Sequence, residues 1–188
     1  MAERRRVFSA ANGSAGAAVL FVAEAPGRLG AERTGVPLFG DRTGRAFRQL
    51  LLAAGLSDEE VFVTNAVLCN PRQGEKNRPP MRWELANCRD HLRRALDAVD
   101  PLVVAALGGV ALRALAAIQP HSATLQTVGQ PVPWFGRWLI PLYHPGPRAQ
   151  LRRSFDQQRE DFARLGAFIR EQARLTLLGE RGAAAGGR

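Results

Sequence analysis

Polar side chains that could engage a ligand follow several of the short apolar runs in this sequence. Glu24 comes directly after "AAVLFVA", Asn65 lies in "EVFVTNAVL", and His144 follows "RWLIPLY". Asp41 ends the irregular stretch that begins at Glu24. Two carboxylates, an imidazole and an amide with both a donor and an acceptor are groups that hydrogen-bond or stabilise charge on a polar ligand. The positions where apolar runs end are therefore candidate binding positions.

The stretch "FVAEAPGRLGAERTGVPLFGDRTG" is the longest irregular segment of the chain. It contains five glycines, two prolines, three arginines and three acids, and its residues follow no helical or strand period. Loops of this length are uncommon inside compact domains and are usually functional or disordered. Its place between a buried strand and a helix favours a binding loop.

Strand and helix patterns alternate along the rest of the chain. Short apolar runs predict strands at residues 17–23, 60–68, 101–108 and 137–143. Amphipathic or apolar periodicity predicts helices at residues 44–56, 81–99, 109–118 and roughly 150–175. This alternation predicts an α/β fold, a three-layer α/β/α sandwich with a central, mainly parallel four-stranded sheet. We expect one domain over residues 1–178 and a disordered tail over 179–188.

Ligands of such folds bind at the carboxyl ends of the strands. In this sequence those ends carry "EAPGRLG", "NAVLCNP", "LGG" and "HPGPR", which together hold most of the unusual residues. The sequence therefore predicts one site at one edge of the sheet, built from segments that are far apart along the chain.

The charge balance indicates a polyanionic partner. The formal net charge is +9, and all basic residues except Lys76 are arginines. The guanidinium fork matches phosphate oxygens, so this surplus favours nucleic acid. A GC-rich genome would explain arginine in place of lysine, but not the excess over the 17 acids.

Composition also excludes several classes of protein. No apolar run approaches the roughly 20 residues that span a bilayer, and no apolar stretch follows the basic start as in a secretory signal. The only cysteines, Cys69 and Cys88, are too few for a disulfide framework. We expect a monomer in the cytoplasm, with no membrane partner.

Several segments stand in order near predicted strand ends: "AEAPG", "TGVPLFGDRTG", "TNAVLC", "HPGPR" and the group Asn77, Arg78, Pro79, Glu84 and Cys88. Together they resemble the uracil-DNA glycosylase superfamily, and most closely its bacterial and archaeal families 4 and 5. The resemblance covers about residues 19–168. The resemblance implies a monofunctional enzyme that hydrolyses the N-glycosidic bond of uracil in DNA and so initiates base-excision repair.

The resemblance also implies catalytic roles. His144 would donate a hydrogen bond to the departing base, although a structural histidine at a strand end is the simpler reading. Ala25 occupies the position where better-known members carry a water-activating Asp. Asp41 matches a carboxylate proposed to act in family 5, with Glu24 and Glu32 as competitors. Asp41 could instead only cap the following helix or pair with an arginine.

Base recognition is implied for Asn65, whose amide could pair with the imide edge of uracil; the alternative is an Asn that caps a turn. The segment Glu24, Ala25, Pro26 and Gly27 would shape the backbone around the base. Both families carry a Phe as the stacking wall where this chain has Leu38. Either Phe39 swings in, or the wall is aliphatic and selectivity is looser.

The "HPGPR" segment and the residues after it would contact the DNA backbone. Gly146 and Pro147 would let the chain approach, and Arg148 and Arg152, with Arg153, would lie along phosphates. Either Arg148 or Leu151 would fill the space that the extruded base leaves. The alternative is a plain basic helix start.

Families 4 and 5 usually hold a 4Fe-4S cluster on four cysteines. Cys69 and Cys88 match two of these ligands, and no residue before position 19 can supply the other pair. Either this branch lost the cluster or the gene start is set too late. We predict no cofactor and no metal site for this chain.

Three further readings stay open. A broader glycosylase would also remove deaminated purines such as hypoxanthine or xanthine. The changes at Ala25 and Leu38 would also suit a non-catalytic nucleic-acid-binding protein on the same fold. A flavodoxin-like nucleotide-binding domain is a third reading, although the chain lacks the glycine patterns typical of phosphate-binding loops.

Overall fold

A computed structural model describes residues 4–177 of the chain. The strands are β1 (Val19–Ala23), β2 (Val61–Asn65), β3 (Arg72–Gln73), β4 (Lys76–Asn77), β5 (Val103–Leu107), β6 (Val132–Trp134) and β7 (Arg137–Leu142). The helices are α1 (Ala31–Thr34), α2 (Arg42–Ala54), α3 (Arg82–Val99), α4 (Gly109–Ala116), α5 (Pro147–Gln150) and α6 (Phe155–Leu177). No helix in residues 4–177 is long and apolar enough to cross a membrane. The tail predicted for residues 179–188 lies outside the described residues.

The central sheet has the strand order β2-β1-β5-β7-β6, and its first four members run parallel. Every residue of β1, β2 and β5 is buried, because helices cover both faces of the sheet. Short, continuous apolar runs are the expected sequence of such strands, so the mainly parallel α/β prediction is confirmed.

The fifth strand of the sheet, β6, was not predicted from the sequence. It is a three-residue edge strand that contains Pro133 and pairs antiparallel with β7. Proline is tolerated on an edge strand, where one side needs no ladder hydrogen bond. The turn after it places Phe135 and Gly136 in the left-handed region, with φ of 50° and 74°. The sequence Asn-Gly is typical of such a turn. Because Phe135 stands where Asn is usual, the sequence does not predict the turn.

Side chains of β1 alternate between two apolar layers. Leu20 and Val22 pack in the layer under α3 and α4, whereas Phe21 packs in the layer under α2 and α6. Phe21 stacks on Phe162 with ring centroids 5.8 Å apart and meets Phe47 edge to face at 5.2 Å. The two layers hold the sheet rigid beneath the loops at its carboxyl edge.

The helix predicted at residues 150–175 is two helices in the structure. Helix α5 ends at Gln150, and α6 begins at Phe155 after a break. Ser154 and Gln157 form a reciprocal cap, in which each backbone N–H donates to the other side chain at 2.9 Å and 3.3 Å. The sequence "SFDQ" is the signature of this cap, and it predicts the true start of α6.

Helices α2 and α6 cross in direct backbone contact at Gly166. A Cβ added to Gly166 would stand 1.8 Å from the carbonyl oxygen of Ala54. Glycine is therefore required at this position, although it lowers helix propensity by about 1 kcal/mol relative to alanine. This contact fixes the position of α2, and therefore also the position of its amino-terminal end at the site.

We expect Gly166→Ala to destabilise the protein by roughly 1–3 kcal/mol, because the added methyl forces the two helices apart. Urea denaturation measures the change in the free energy of unfolding. Ala163→Met, which adds bulk at an exposed position of the same helix, should change it by less than about 0.5 kcal/mol. A stabilised Gly166→Ala variant would contradict the close crossing.

Candidate active site

A pocket of about 600 Å³ opens at the carboxyl edge of the sheet. Asn65 at the end of β2, Leu107 at the end of β5 and His144 just after β7 all line it. The loop of residues 24–43, here named the pocket loop, and the first turn of α5 complete its walls. The structure thus brings together residues that the sequence analysis placed at separate strand ends.

His144 has a defined tautomer. The backbone N–H of Gly146 donates to its Nδ1 at 3.0 Å, so Nδ1 carries no proton and a neutral ring carries its proton on Nε2. Burial lowers the pKa of His144 below its usual 6.5, and Asp41 nearby partly offsets this effect. Near neutral pH the side chain is therefore a neutral imidazole with an Nε2–H donor.

Gly146 is part of this arrangement. A Cβ at this position would stand 2.9 Å from Nδ1 of His144, so a side chain would push the imidazole away. The tight turn "HPG" therefore depends on glycine for its close approach to the ring. Pro147 then starts α5 at the position where a missing N–H has no cost.

Asp41 caps α2 and also lines the pocket. Its Oδ1 accepts a hydrogen bond from the N–H of Gly44 at 2.8 Å, which starts the helix at Arg42. The other oxygen, Oδ2, faces the pocket loop, 3.6 Å from where a Cβ on Gly27 would stand. The capping role expected as the simple alternative is present, and it leaves one carboxylate oxygen free for chemistry.

Asn65 is only 3% exposed, and its Nδ2 has no hydrogen-bond partner within residues 4–177. A buried donor without a partner costs about 1–3 kcal/mol. An Asn that caps a turn would show a side-chain bond to nearby backbone, and no such bond is found in the described part of the chain. Asn65 thus brings a buried amide donor without a partner to the lining of the pocket.

The first segment of the pocket loop follows β1 directly. Glu24, Ala25, Pro26 and Gly27 all line the pocket. Burial raises the pKa of Glu24, and the positive charge of Arg113 partly offsets this rise. Glu24 is thus a second carboxyl group at the site, in a more apolar setting.

Leu38 is the apolar wall of the pocket, and it has a left-handed backbone with φ of 47°. It also lines an adjoining cavity of about 180 Å³ on its far side. Phe39 lines only that second cavity and is 46% exposed. In this structure Leu38, and not Phe39, therefore lines the pocket. The choice between an aliphatic wall and a Phe39 that swings in stays a prediction about the complex with a base.

Three arginines follow "HPGP", of which two are exposed and the third is held in an ion pair. Arg148 lines the pocket mouth, whereas Arg152 is exposed beside it and does not line the pocket. Arg153 instead makes two hydrogen bonds of 2.7 Å to the buried Asp161, which raises the pKa of the guanidinium. Arg153 is therefore engaged within the protein, where its two bonds to Asp161 hold the start of α6 in place. Leu151 is 88% exposed between them.

Asn77 is a pocket residue that the sequence analysis used only as part of a motif. The hairpin β3–β4 carries it to the pocket, where its Nδ2 lies 4.0 Å from the point where a Cβ on Gly27 would stand. Asp41 Oδ2 lies 3.6 Å from the same point. A carboxylate oxygen and an amide nitrogen thus flank one small space above Gly27. No local pattern predicts this, because the hairpin decides it.

The protein-family model described as the uracil DNA glycosylase superfamily matches residues 10–166. The chain belongs to this superfamily. It is 32% identical over 163 residues to the type-4 uracil-DNA glycosylase of Archaeoglobus fulgidus, covering 82% of this chain and 78% of the relative. It is 32% identical over 158 residues to the type-4 enzyme of Thermotoga maritima, covering 82% and 79%. The type-5 enzyme of Pyrobaculum aerophilum is 34% identical over 148 residues, covering 72% and 64%.

The 4Fe-4S cluster of families 4 and 5 does not fit the donors present in these 188 residues. Cys69 and Cys88 are half-buried, and burial and the neighbouring Cys88 raise the pKa of the Cys69 thiol. The Cys69 Sγ lies 3.8 Å from the carbonyl oxygen of Arg4. A four-cysteine cluster needs two more thiolates than the sequence holds. Within residues 4–177, no three His, Cys, Asp or Glu side chains are grouped to hold a metal ion.

The two histidines outside the superfamily motifs do not line the pocket. His91 is exposed on α3. His121 places its Nε2 3.0 Å from the carbonyl oxygen of Leu112, and its ring lies edge to face with Trp134. Of the three histidines, His144 alone lines the pocket.

The lowered pKa of His144 predicts a pH dependence of stability. Below pH 6.5 the unfolded chain takes up a proton on this residue that the folded protein resists, so stability is lost as pH falls toward the folded-state pKa. We expect urea denaturation between neutral pH and about pH 5 to show a flatter pH profile for His144→Asn than for the wild-type protein. Parallel profiles would contradict the assignment.

Proposed function

We propose that this protein excises uracil from DNA by hydrolysing the N-glycosidic bond, which initiates base-excision repair. One observation carries the proposal. A single pocket at the strand ends holds the unpaired buried donor of Asn65 together with the neutral Nε2–H donor of His144. The relatives named as type-4 and type-5 uracil-DNA glycosylases support the same activity.

Asn65 selects the base. An extruded uracil presents carbonyl oxygens beside an N–H, and extrusion costs a few kcal/mol, about the cost of unstacking one base. The Nδ2 of Asn65 donates to a carbonyl oxygen, and its Oδ1 accepts from the base N–H. Cytosine presents an amino group in place of one carbonyl, which would leave the buried Nδ2 facing another donor. Rejection of cytosine follows from that unpaired group.

His144 stabilises the leaving base. Breaking the bond between the sugar and the base leaves the bonding electrons, and a negative charge, on the base. The Nε2–H of His144 is already oriented by the N–H of Gly146, so it donates to the charged oxygen with no reorganisation. The neutral ring acts as a hydrogen-bond donor and need not give up its proton.

Asp41 and Asn77 hold the attacking water. A water in the space above Gly27 would donate to Asp41 Oδ2 and accept from Asn77 Nδ2, since both atoms border that space. The water oxygen bonds to the sugar carbon as the bond to the base breaks, and Asp41 takes the released proton. This pair takes the role of the Asp that is absent at Ala25.

The pocket mouth binds the DNA strand. Arg148 lies at the mouth and Arg152 beside it, and both are exposed and free to pair with phosphates. Leu151 projects between them with 88% of its surface exposed, so it can fill the space left by the extruded base. The net charge of +9 favours the same partner.

A broader base range is the second candidate function. Leu38 lines both the pocket and an adjoining open cleft of about 180 Å³, so a shift of this side chain toward the cleft would make room for a larger ring. Deaminated purines such as hypoxanthine and xanthine carry the same arrangement of a carbonyl beside an N–H. The proposal therefore extends to these bases as slower substrates.

Three further properties belong to this proposal. The protein works without a 4Fe-4S cluster, because the 188 residues hold only Cys69 and Cys88 as thiol donors. It acts as a monomer, since the proposed site is built from one chain. It works in the cytoplasm, where free thiols such as those of Cys69 and Cys88 persist.

We expect the full chain to release uracil from single- and double-stranded oligonucleotides, measured as free base and as strand breaks after alkali. His144→Ala should lower the excision rate by roughly 10²-fold or more, because one oriented donor to the leaving group is lost. His91→Ala, on the exposed face of α3, is the matched control and should act like the wild-type protein. Tight, salt-sensitive DNA binding with no excision would identify a non-catalytic binder instead.

Asn65→Asp should change base selection, because it replaces the Nδ2 donor with an acceptor. We expect slower uracil excision and a smaller ratio of uracil to cytosine excision in otherwise identical oligonucleotides. Asn87→Asp makes the same chemical change on an exposed turn of α3 and should leave that ratio unchanged. An unchanged ratio in Asn65→Asp would place base recognition elsewhere.

A further inference from the structure

Glu32 is a mostly buried carboxylate that does not line the pocket. Its side chain, on the short helix α1 of the pocket loop, is 13% exposed. Its Oε2 accepts a hydrogen bond from Asn70 Nδ2 at 2.7 Å, and its Oε1 pairs with Arg72 at 3.3 Å. Glu32 therefore takes no direct part in the chemistry of the pocket. Burying its charge is costly, and its two partners offset that cost.

The hydrogen bonds of Glu32 determine the orientation of two amides in series. A carboxylate oxygen only accepts, so Asn70 must turn its Nδ2 toward Glu32. The second N–H of the same Nδ2 donates to Asn77 Oδ1 at 3.0 Å. The backbone N–H of Arg28, which can only donate, reaches the same Oδ1 at 3.3 Å. Asn77 must therefore present its oxygen to these donors and its Nδ2 to the opposite side.

The opposite side of Asn77 is the space above Gly27, which Asp41 Oδ2 borders. The orientation of the amide therefore decides whether that space meets a donor and an acceptor or two acceptors. Two acceptors would both compete for the protons of a bound water, and neither would orient its lone pair. The choice between the two orientations lies with Glu32, two hydrogen bonds away.

Asn77 needs this support because its own surroundings do not hold it. It is exposed and lies in a two-residue strand of the short hairpin β3–β4. Its Nδ2 has no protein partner within residues 4–177, so the two bonds to Oδ1 are what orient the side chain. Asn70, by contrast, is 1% exposed and is fixed in the interior.

We propose that Glu32 is a positioning residue that acts through Asn70 to hold Asn77 Nδ2 toward the space above Gly27. This inference rests on the proposed function for the role of that space in catalysis. Glu32 thereby links the pocket loop to the hairpin. It determines the orientation of the Asn77 side-chain amide, although the two residues are not in contact.

A double-mutant cycle tests the proposal by single-turnover excision at saturating enzyme. Glu32→Gln keeps the shape of the side chain, but its amide no longer dictates which atom of Asn70 faces it. We expect a loss of roughly tenfold in the rate of the chemical step, as for a misplaced catalytic group. In the Asn77→Ala background, Glu32→Gln should cause no further loss, because the residue through which it acts is gone.

Glu75→Gln is the matched control. It removes a carboxylate from the hairpin β3–β4, which also carries Asn77. Glu75 is exposed, however, and pairs with Arg28 at the surface. It should leave the rate unchanged in both backgrounds. An equal loss from Glu32→Gln with and without Asn77, or no loss in the wild-type background, would overturn the proposal.

Side-chain amide NMR in the absence of DNA separates this inference from the proposed function. In the wild-type protein both Nδ2 protons of Asn70 are hydrogen-bonded, so they should exchange slowly with solvent. Glu32→Gln should speed their exchange and shift the Asn77 amide signals, whereas Glu75→Gln should not. Unchanged amide signals in Glu32→Gln would overturn the inference. A wild-type protein that releases no uracil would overturn the proposed function, while the amide signals still decide the inference.

Discussion

The site depends on one constraint, the parallel register of the central sheet. Ala23 pairs with Asn65 at the end of β1 and β2, and Leu107 pairs with Leu142 at the end of β5 and β7. Four parallel strands therefore end at the same edge of the sheet, and the segments that follow them must meet there. Buried strands and two apolar layers make that edge rigid. The pocket inherits this rigidity, which is why loop residues can hold an imidazole and an amide in fixed orientations.

The sheet positions the side chains of the site, and hydrogen bonds from backbone N–H groups then fix their orientation and protonation state. The N–H of Gly146 sets the tautomer of His144, and the N–H of Gly44 uses one oxygen of Asp41 while leaving the other to the pocket. In each case a backbone donor, which cannot reverse its polarity, determines the state of a side chain. Asn65 differs, because its buried Nδ2 has no partner in the described part of the chain, as is also true of the buried Oδ1 of Asn70 in the same pocket lining. An unsatisfied donor beside satisfied ones is the feature expected where a ligand completes the network.

Charge is divided between structure and binding in a way that composition conceals. Arg78 pairs with the buried Glu84 through two bonds of 2.7 Å, which lowers the pKa of that carboxyl, and Arg153 is held by Asp161. These arginines stabilise the hairpin and α6, since removing either one would leave the buried carboxylate of its partner unpaired. Arg148 and Arg152 remain exposed at the pocket mouth. The net positive charge therefore overstates how many arginines can reach a phosphate.

The sequence alone determined the alternation of strands and helices, the superfamily and the placement of His144 and Asn65, because these follow from short-range patterns of apolar residues and motifs. The helix cap that it offered as the alternative reading of Asp41 is present, while the catalytic role stays a prediction. The sequence did not predict the edge strand β6, whose turn has an atypical residue in Phe135, or the separation of α5 from α6. Only the tertiary structure decided that Arg153 pairs with the buried Asp161, that Phe39 lies outside the pocket lining, and that Asn77 belongs to it. These outcomes depend on contacts between residues far apart in sequence, whose energies no local pattern records.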